Sequence, residues 1–535
     1  MKKITASLFI ILFYVLTSCQ DQLDIKNPNA PQFSNLESET GIFNFAMGGV
    51  YATPTKYSGP GLQWNFVYSL HELMGDLIGA EFANSGSNQI GCPDLVVLDN
   101  GTQVLSPQAP PKQKDFIRQR NLNQNEGNNP LFYEWAIMYS INNSCNMTLS
   151  VLDEVLFSGD EADILTKKEV IKAWCYFWKG FAYSKIGSIY YAGIINDEVL
   201  KTNSLYVTKE AILLEAEKNF ALSESILNGL TADATYSETL GKLIPNICQV
   251  GKGGILTPDM WRRNINTLRA RNILVNTAIA SMTSTQWSQI LSLTLNGIQS
   301  SDKIFTIRSN ATADLMSASG NVPARTRING AFKVSERFIQ DFKTGDLRKT
   351  NNFIQTAPWI GNANRGNAFN TRWDLLNGGG GLAGVAVMQN RNVGAYELYL
   401  AGFYEENELM KAEANIFLSN IDEGLSIIDN VRSFQGAGLA PVSGTGLSQA
   451  LAIEELKSER RIALAFRALS FYDARRYDVI NTGRTGTVVV DNTGFVNTNA
   501  SIYYNFLDYW DVPDNELVFN PPAPGSAPVK NPNGL

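Results

Sequence analysis

Histidine and excess basic charge are the two features that this sequence lacks most clearly. His71 is the one histidine among 535 residues, which excludes a histidine-rich metal site and any mechanism that needs two histidines. Lysine and arginine number 44 against 51 aspartates and glutamates, and a net charge of −7 argues against a nucleic-acid-binding protein. The five cysteines include no C-x-x-C pair, so the sequence predicts no zinc site.

The N-terminus has the pattern of an export signal. Two lysines precede an apolar run from Leu8 to Leu16, which is too short for a membrane span of roughly 20 residues. Small residues then lead directly to Cys19, which resembles the lipobox of bacterial lipoproteins, where the cysteine is acylated after cleavage. We therefore expect a signal peptide over 1–18, lipidation of Cys19 and a tether over 19–40. The alternative is an ordinary signal peptide with a coincidental cysteine.

The body of the chain is predicted to be mostly α-helical. Apolar residues recur every three or four positions from Leu131 to Leu156 and again from Val170 to Phe181, which indicates two antiparallel helices joined by a turn. Thr208 is a candidate N-cap for a third helix. Further helices are predicted over 260–281, 287–298, 396–418, 421–432 and 447–477. Those over 396–418 and 421–432 look like a tetratricopeptide hairpin, in which small residues let two helices approach closely.

Segments rich in Gly, Asn and Pro separate these helices, and we expect them to be irregular. They are 32–41, 84–129, 229–258, 307–322, 351–395 and 482–535. Loops of this length usually carry function or form packed substructures of their own. The sequence therefore predicts a helical scaffold with long loops gathered on one side.

Three groups of residues resemble the SusD/RagB family of nutrient-binding lipoproteins of Bacteroidetes. The first is Cys19 with the following Leu23-Asp24 and Asn27-Pro28, and the second is the C-terminal run from Val512 to Pro521 with Asn531-Pro532-Asn533-Gly534. The third is the "AEA…VR…ERR…D…R" pattern formed by Ala412-Glu413-Ala414, Asp429 to Arg432, Glu459-Arg460-Arg461, Asp473 and Arg476. The chain departs from the family pattern at Ala463, Arg467-Ala468 and Ser470.

The resemblance implies a SusD-like fold with a tetratricopeptide scaffold and a long-loop ligand-binding side, as one domain over 41–535. It implies a lipid-anchored outer-membrane protein that faces the cell exterior. The protein would bind an oligosaccharide and pass it to a SusC-like TonB-dependent transporter, without catalysis and without a cofactor. A peptide ligand, as in the RagB branch, is the first alternative. A helical-repeat lipoprotein that only assembles other proteins is the second.

Candidate ligand residues are aromatic side chains in the predicted loops, because flat apolar faces suit sugar C–H groups and planar polar side chains suit hydroxyls. We predict Trp64, Trp359, Arg365 and Trp373 as ligand-binding residues. The alternative for each aromatic is that it packs its loop onto the helices. Trp135, Trp174 and Trp178 are expected in the core, and Trp510 is expected to pack the C-terminus.

Other chemistry is not supported by the sequence. The Gly379–Gly384 segment matches G-x-G-x-x-G, but neither a preceding strand nor a following capped helix is predicted, so we expect a loop. The adjacent pairs Glu405-Glu406 and Glu454-Glu455 are expected on solvated helix faces and not as a glycosidase pair. His71 is expected to be a hydrogen-bonded structural residue. No catalytic residue and no metal ligand is predicted.

Overall fold

The computed structural model describes residues 36–55, 67–80, 86–125, 128–199, 201–307, 332–361, 366–375 and 397–534. The predicted signal peptide, Cys19 and most of the tether lie outside these residues. So do Trp64, Arg365 and the Gly379–Gly384 segment.

The predicted mostly α-helical fold is confirmed. The described residues contain eighteen α-helices: α1 Glu39–Tyr51, α2 Tyr68–Met74, α3 Ser87–Ile90, α4 Gln113–Arg120, α5 Pro130–Val151, α6 Glu161–Ile189, α7 Lys209–Asn228, α8 Ala234–Leu243, α9 Pro258–Val275, α10 Ser284–Leu295, α11 Glu336–Gln340, α12 Leu347–Asn352, α13 Tyr404–Phe417, α14 Ile421–Phe434, α15 Gln449–Ala463, α16 Ser470–Arg476, α17 Val479–Thr482 and α18 Asp514–Phe519. In the described part of the chain, none of these helices combines the length and the apolarity that a membrane crossing requires.

The hairpin of α5 and α6 forms the centre of the core. The three tryptophans that were predicted here as core, Trp135, Trp174 and Trp178, are each no more than 1 % exposed. A Cβ atom at Gly180 in α6 would lie 2.6 Å from the ring of Phe220, so the missing side chain is what lets α7 pack closely against α6. Thr208 caps α7 as predicted, because its hydroxyl accepts a hydrogen bond from the N–H of Ala211.

The second predicted hairpin is formed by α13 and α14. A Cβ atom at Gly424 would lie 2.6 Å from Ile416 and 2.8 Å from the carbonyl oxygen of Ala412. Glycine at this position therefore permits the close helix approach that is typical of a tetratricopeptide unit.

The predicted helix over 447–477 is wrong as a single element. It is split into α15 and α16, and Phe466 and Ala468 between them have φ angles of 62° and 58°. The buried carboxylate of Glu72 accepts hydrogen bonds from the N–H of Ala468 at 2.7 Å and from the hydroxyl of Ser470 at 3.1 Å. These bonds satisfy polar groups that a continuous helix would have paired within itself.

Several segments that we predicted as irregular contain regular structure. They contribute α3, α4, α8 and α18 and six of the twelve strands in the described residues. The twelve strands of the described residues are β1 Ile78–Ala80, β2 Leu95–Val97, β3 Gln103–Leu105, β4 Ala192–Ile194, β5 Tyr206–Thr208, β6 Thr306–Ile307, β7 Phe332–Val334, β8 Phe353–Ile360, β9 Thr371–Leu375, β10 Leu398–Tyr399, β11 Arg484–Val490 and β12 Val496–Tyr503. One four-stranded sheet has the order β11-β12-β2-β3, and the other strands pair as β1-β7, β10-β6, β4-β5 and β8-β9. Of these, β2 and β3 were missed because three residues are too few to show an alternating pattern.

Six charged residues of the "AEA…VR…ERR…D…R" pattern are buried in two sets of ion pairs, which α15 links because Glu459 and Arg460 are adjacent on it. This arginine–carboxylate cluster consists of six residues, none more than 9 % exposed: Glu413, Arg432, Glu459, Arg460, Asp473 and Arg476. Arg476 donates to Glu413 at 2.8 Å and to Asp473 at 2.7 Å. Arg432 donates to Glu459 at 2.8 Å. The pattern therefore has a structural role, because it joins α13, α14, α15 and α16 through paired charges.

Candidate ligand-binding surface

Two of the predicted ligand residues lie on one β-hairpin and not in an irregular loop. Trp359 is in β8 and Trp373 is in β9, and the two strands pair antiparallel with Gln355 opposite Trp373. The register shifts between Gln355 and Ile360, and Ile360 lies opposite Thr371, which is two positions from Trp373 on β9. The two indoles therefore belong to one irregular hairpin, and we call the exposed side chains of β8 and β9 the hairpin surface.

Trp359 is half-buried against the turn of another hairpin. A Cβ atom at Gly494, between β11 and β12, would lie 1.9 Å from the indole Nε1. A Cβ atom at Gly361 would lie 2.6 Å from the far side of the same ring. The indole is thus held in place by two glycines, and part of it remains exposed.

Trp373 is also half-buried, and the ammonium group of a lysine lies over its ring. The ammonium group of Lys349 in α12 lies 4.7 Å from the ring centroid, a cation–π distance. The indole Nε1 is buried and has no hydrogen-bond partner among the described residues. Sequence reasoning missed Lys349 and Gly494, since nothing near either residue in the chain links it to a tryptophan.

The hairpin surface is anchored by ion pairs beneath it. Glu336 in α11 accepts hydrogen bonds from the backbone of Arg372 at 2.6 Å and from its guanidinium at 2.8 Å. Arg337 donates to Asp76 at 2.8 Å and 2.9 Å and to the carbonyl oxygen of Ala368 at 2.7 Å. Burial opposes ionisation of Asp76, but the Arg337 guanidinium outweighs it and holds the pKa below its usual range. These contacts fix the strands that carry the two indoles.

The other predicted residues do not extend this surface within the described residues. Trp64 and Arg365 lie outside them, and their membership of the site stays a prediction. Trp510 is fully buried and pairs with Tyr190 through a β-bridge, as expected for a residue that packs the C-terminus. Tyr504 is buried and donates to Asp76.

The acidic pair Glu405-Glu406 was predicted on a solvated face, and this was wrong. Glu405 is 8 % exposed and Glu406 is 1 % exposed. Glu406 is paired with Arg271 from α9, and this partner explains why the carboxylate can be buried. Arg271 lies 135 residues from Glu406 in the chain, so the sequence around Glu405-Glu406 does not indicate this partner.

His71 has the structural role that was predicted. It is fully buried, and its Nε2 lies 3.0 Å from Glu134, which also pairs with Lys185 at 3.0 Å. Burial lowers the pKa of His71, and the nearby Glu134 carboxylate opposes that effect. Within the described ranges, no group of three or more His, Cys, Asp or Glu side chains could hold a metal ion.

The cavity between α2, α6, α9 and the α15–α16 connection is too small for a sugar. Its walls include Tyr68, Lys185, Arg271, Arg467 and Tyr472, and its volume is about 20 Å³. A volume of that size holds one water molecule. This cavity is therefore not a candidate for the ligand site.

Comparison with known proteins identifies the fold. No protein-family model and no curated protein matches the chain. A SusD superfamily protein from Parabacteroides distasonis aligns over 91 % of this chain and 97 % of its own, with a TM-score of 0.57 at 16 % identity. A SusD-like carbohydrate-binding protein from Bacteroides fragilis aligns over 91 % of this chain and 99 % of its own, with a TM-score of 0.57 at 13 % identity. The chain has the SusD fold.

The predicted SusD/RagB resemblance is thus confirmed at the level of the fold. A further SusD-like carbohydrate-binding protein, from Bacteroides vulgatus, aligns over 92 % of this chain and 98 % of its own, with a TM-score of 0.50 at 15 % identity. The tetratricopeptide-like hairpin of α13 and α14 and the β8–β9 hairpin are thus parts of one SusD-like chain.

Proposed function

We propose that this SusD-like protein binds an oligosaccharide at the cell surface and passes it to a SusC-like TonB-dependent transporter. The observation that carries the proposal is the hairpin surface, on which the SusD fold holds two half-buried indoles. The description of two neighbours in fold as carbohydrate-binding proteins supports a sugar as ligand.

The chemistry of the hairpin surface suits an extended neutral ligand. Trp359 and Trp373 offer apolar ring surface to sugar C–H groups, and two such rings on one hairpin suit a ligand of more than one sugar unit. The nearby charges of Glu336 and Arg372 are already paired with one another. An ionic ligand would therefore have to compete with an existing ion pair, whereas a neutral sugar would not.

We assign no catalytic step to this surface. A glycoside hydrolase needs two carboxyl groups that face each other across the substrate. Two carboxylates beneath the hairpin surface are instead engaged, Glu336 by Arg372 and Asp76 by Arg337. Capture without reaction is the activity that these groups support.

Attachment to the membrane is proposed through Cys19. Several acyl chains would anchor the protein firmly, because each buried CH₂ group contributes about 0.8 kcal/mol. The polar and acidic residues after Cys19 resemble signals for export to the outer face of the outer membrane. A surface position would let the protein meet the oligosaccharide before the transporter does.

Two binding assays test this function. The full chain, purified in mild detergent and labelled, is applied to an array of neutral oligosaccharides and to a matched array of peptides. Binding to sugars supports the proposal, whereas binding to peptides alone would favour the RagB-like alternative. Recovery of a TonB-dependent barrel with the tagged chain from its native membrane supports the transporter step, and its absence from cross-linked samples would contradict that step.

A further inference from the structure

A second cleft lies within the helical scaffold, away from the hairpin surface. It opens between α5, α6 and α7 and the segment after β4, and its volume is about 520 Å³. Volumes of about 300–1,000 Å³ are usual for small-molecule sites. We call it the scaffold cleft, and it is lined by Asn146, Leu149, Ser150, Tyr176, Lys179, Asp197, Glu198, Val199, Glu215, Lys218, Asn219 and Leu222.

The floor of the scaffold cleft is polar and buried. Asn146, Lys179, Glu215 and Asn219 are each no more than 8 % exposed. Asn219 donates its Nδ2 to the carbonyl oxygen of Glu215 at 2.8 Å and to its Oε1 at 2.9 Å. The Oδ1 of Asn219 accepts no hydrogen bond from the described residues, so it is available to a donor in the cleft.

One wall of the scaffold cleft is formed by an aromatic and an apolar side chain, Tyr176 and Leu222. Tyr176 is half-buried, and its hydroxyl makes no hydrogen bond to the described protein. No ring or cation among the described residues stacks on it, in contrast to Trp373, whose ring carries Lys349. Leu222, which is 39 % exposed, adds apolar surface to the wall.

Each charged side chain that lines the scaffold cleft has a partner of opposite charge, and Glu198 pairs with Lys201 outside the lining. Lys179 lies 2.9 Å from Asp197, and Lys218 lies 2.9 Å from Glu215 and 3.6 Å from Asp197. Burial raises the pKa of Asp197, but the hydrogen bond from Lys179 outweighs it, so the pKa is lowered and the pair stays charged. A cleft of paired charges with one open acceptor and one open ring selects a neutral ligand that has hydroxyl donors and an apolar face.

We propose that the scaffold cleft binds one neutral pyranose unit, as a second sugar site independent of the hairpin surface. Tyr176 would cover the apolar face of the ring, and Asn219 would accept a hydrogen bond from a hydroxyl. The site shares its ligand class with the proposed function, but it shares no residue with the hairpin surface.

The test measures binding of glucose, galactose, mannose, xylose and N-acetylglucosamine to the full chain in detergent by saturation-transfer NMR. For a sugar that binds, Tyr176→Ala and Asn219→Leu are each expected to weaken binding at least tenfold, and Tyr176→Phe less than Tyr176→Ala. Tyr503→Ala, which removes an exposed tyrosine on β12, is the matched control and is expected to bind normally. Circular dichroism checks that each variant is folded.

The double variant Trp359→Ala/Trp373→Ala separates the two sites. Retention of monosaccharide binding in this variant supports an independent scaffold cleft. If the double variant loses monosaccharide binding while Tyr176→Ala binds normally, the sugar binds at the hairpin surface. The cleft proposal is then overturned, and the proposed function stands. Failure of all five sugars to bind the wild-type chain also overturns the cleft proposal, whatever the oligosaccharide array shows.

Discussion

Arg476 and Glu413 lie 63 residues apart in the chain and form a bidentate ion pair in which neither side chain is more than 1 % exposed. Asp473 and Arg460 extend the pair into the arginine–carboxylate cluster. Buried charges are tolerated when they are paired, and removal of one partner leaves the other without compensation. The residues that resemble the family pattern therefore determine how α13 and α16 pack.

Glu413→Gln is expected to lower the free energy of unfolding by about 3 kcal/mol, because Arg476 keeps Asp473 but loses the buried carboxylate of Glu413. Urea unfolding followed by circular dichroism measures the change. Glu454→Gln is the matched control, because Glu454 is 68 % exposed in its pair with Lys457 and should change stability by less than about 0.5 kcal/mol. Equal unfolding of the Glu413 variant and the wild type would contradict a stabilising role for the cluster.

Glu72 is expected to make stability depend on pH. Burial raises its pKa from 4.5 to about 7, against the opposing hydrogen bonds from Ala468 and Ser470. Between pH 4.5 and pH 7, Glu72 is protonated in the folded chain and ionised in the unfolded chain. Raising the pH therefore lowers the free energy of unfolding by about 1.4 kcal/mol per pH unit, or about 3 kcal/mol in all.

The variant Glu72→Gln isolates this contribution. Its free energy of unfolding minus that of the wild type should rise between pH 4.5 and pH 7 and stay level outside that range. Glu238→Gln, which alters a side chain that is 70 % exposed, should show no comparable rise. A difference for Glu72→Gln that is constant from pH 4 to pH 8 would show that this carboxyl group has an ordinary pKa.

Gly494→Ala is expected to displace the Trp359 indole. Its φ angle is 87° and its Cβ atom would lie 1.9 Å from Nε1 of the ring. Gly525→Ala is a close control, because Gly525 has a φ angle of 80° and open space around it. In both variants an alanine in the left-handed backbone region costs about 1–2 kcal/mol of stability. Only Gly494→Ala should alter tryptophan fluorescence and weaken oligosaccharide binding, by at least fivefold. Identical fluorescence and binding in the two variants would show that Gly494 does not position Trp359.

Cys19→Ala is expected to abolish lipidation, because Cys19 is the residue that matches the lipobox. Incorporation of labelled palmitate and partition into the detergent phase should both be lost. Cys248→Ala, which alters a fully buried thiol, should retain both. Labelling of the Cys19 variant at the wild-type level would rule out this residue as the anchor.

The long helices could be predicted from the sequence because local spacing determines them. The apolar steps of α5 and α6 and the Thr208 cap of α7 are all visible within a few turns. The break between α15 and α16 was not predictable in this way, since it depends on Glu72, which lies 396 residues from Ala468. The same limit applies to Glu406, whose buried partner Arg271 lies on another helix.

The candidate site was predictable only in part. Trp359 and Trp373 were chosen because Asn and Arg flank them, and the structure places both on the β8–β9 hairpin. Their strands were missed because polar residues and a proline interrupt the alternating pattern. The scaffold cleft had no sequence signal, because Tyr176 and Asn219 come from two helices that meet only in the folded chain.

Calorimetric titration of the full chain with the best-binding oligosaccharide tests the central claim most directly. The wild type should bind with measurable heat, and Trp359→Ala and Trp373→Ala should each weaken binding at least tenfold without loss of helicity. Normal binding in both variants would contradict the hairpin surface as the ligand site. No heat with any oligosaccharide, together with firm binding of a peptide, would contradict sugar capture by this protein.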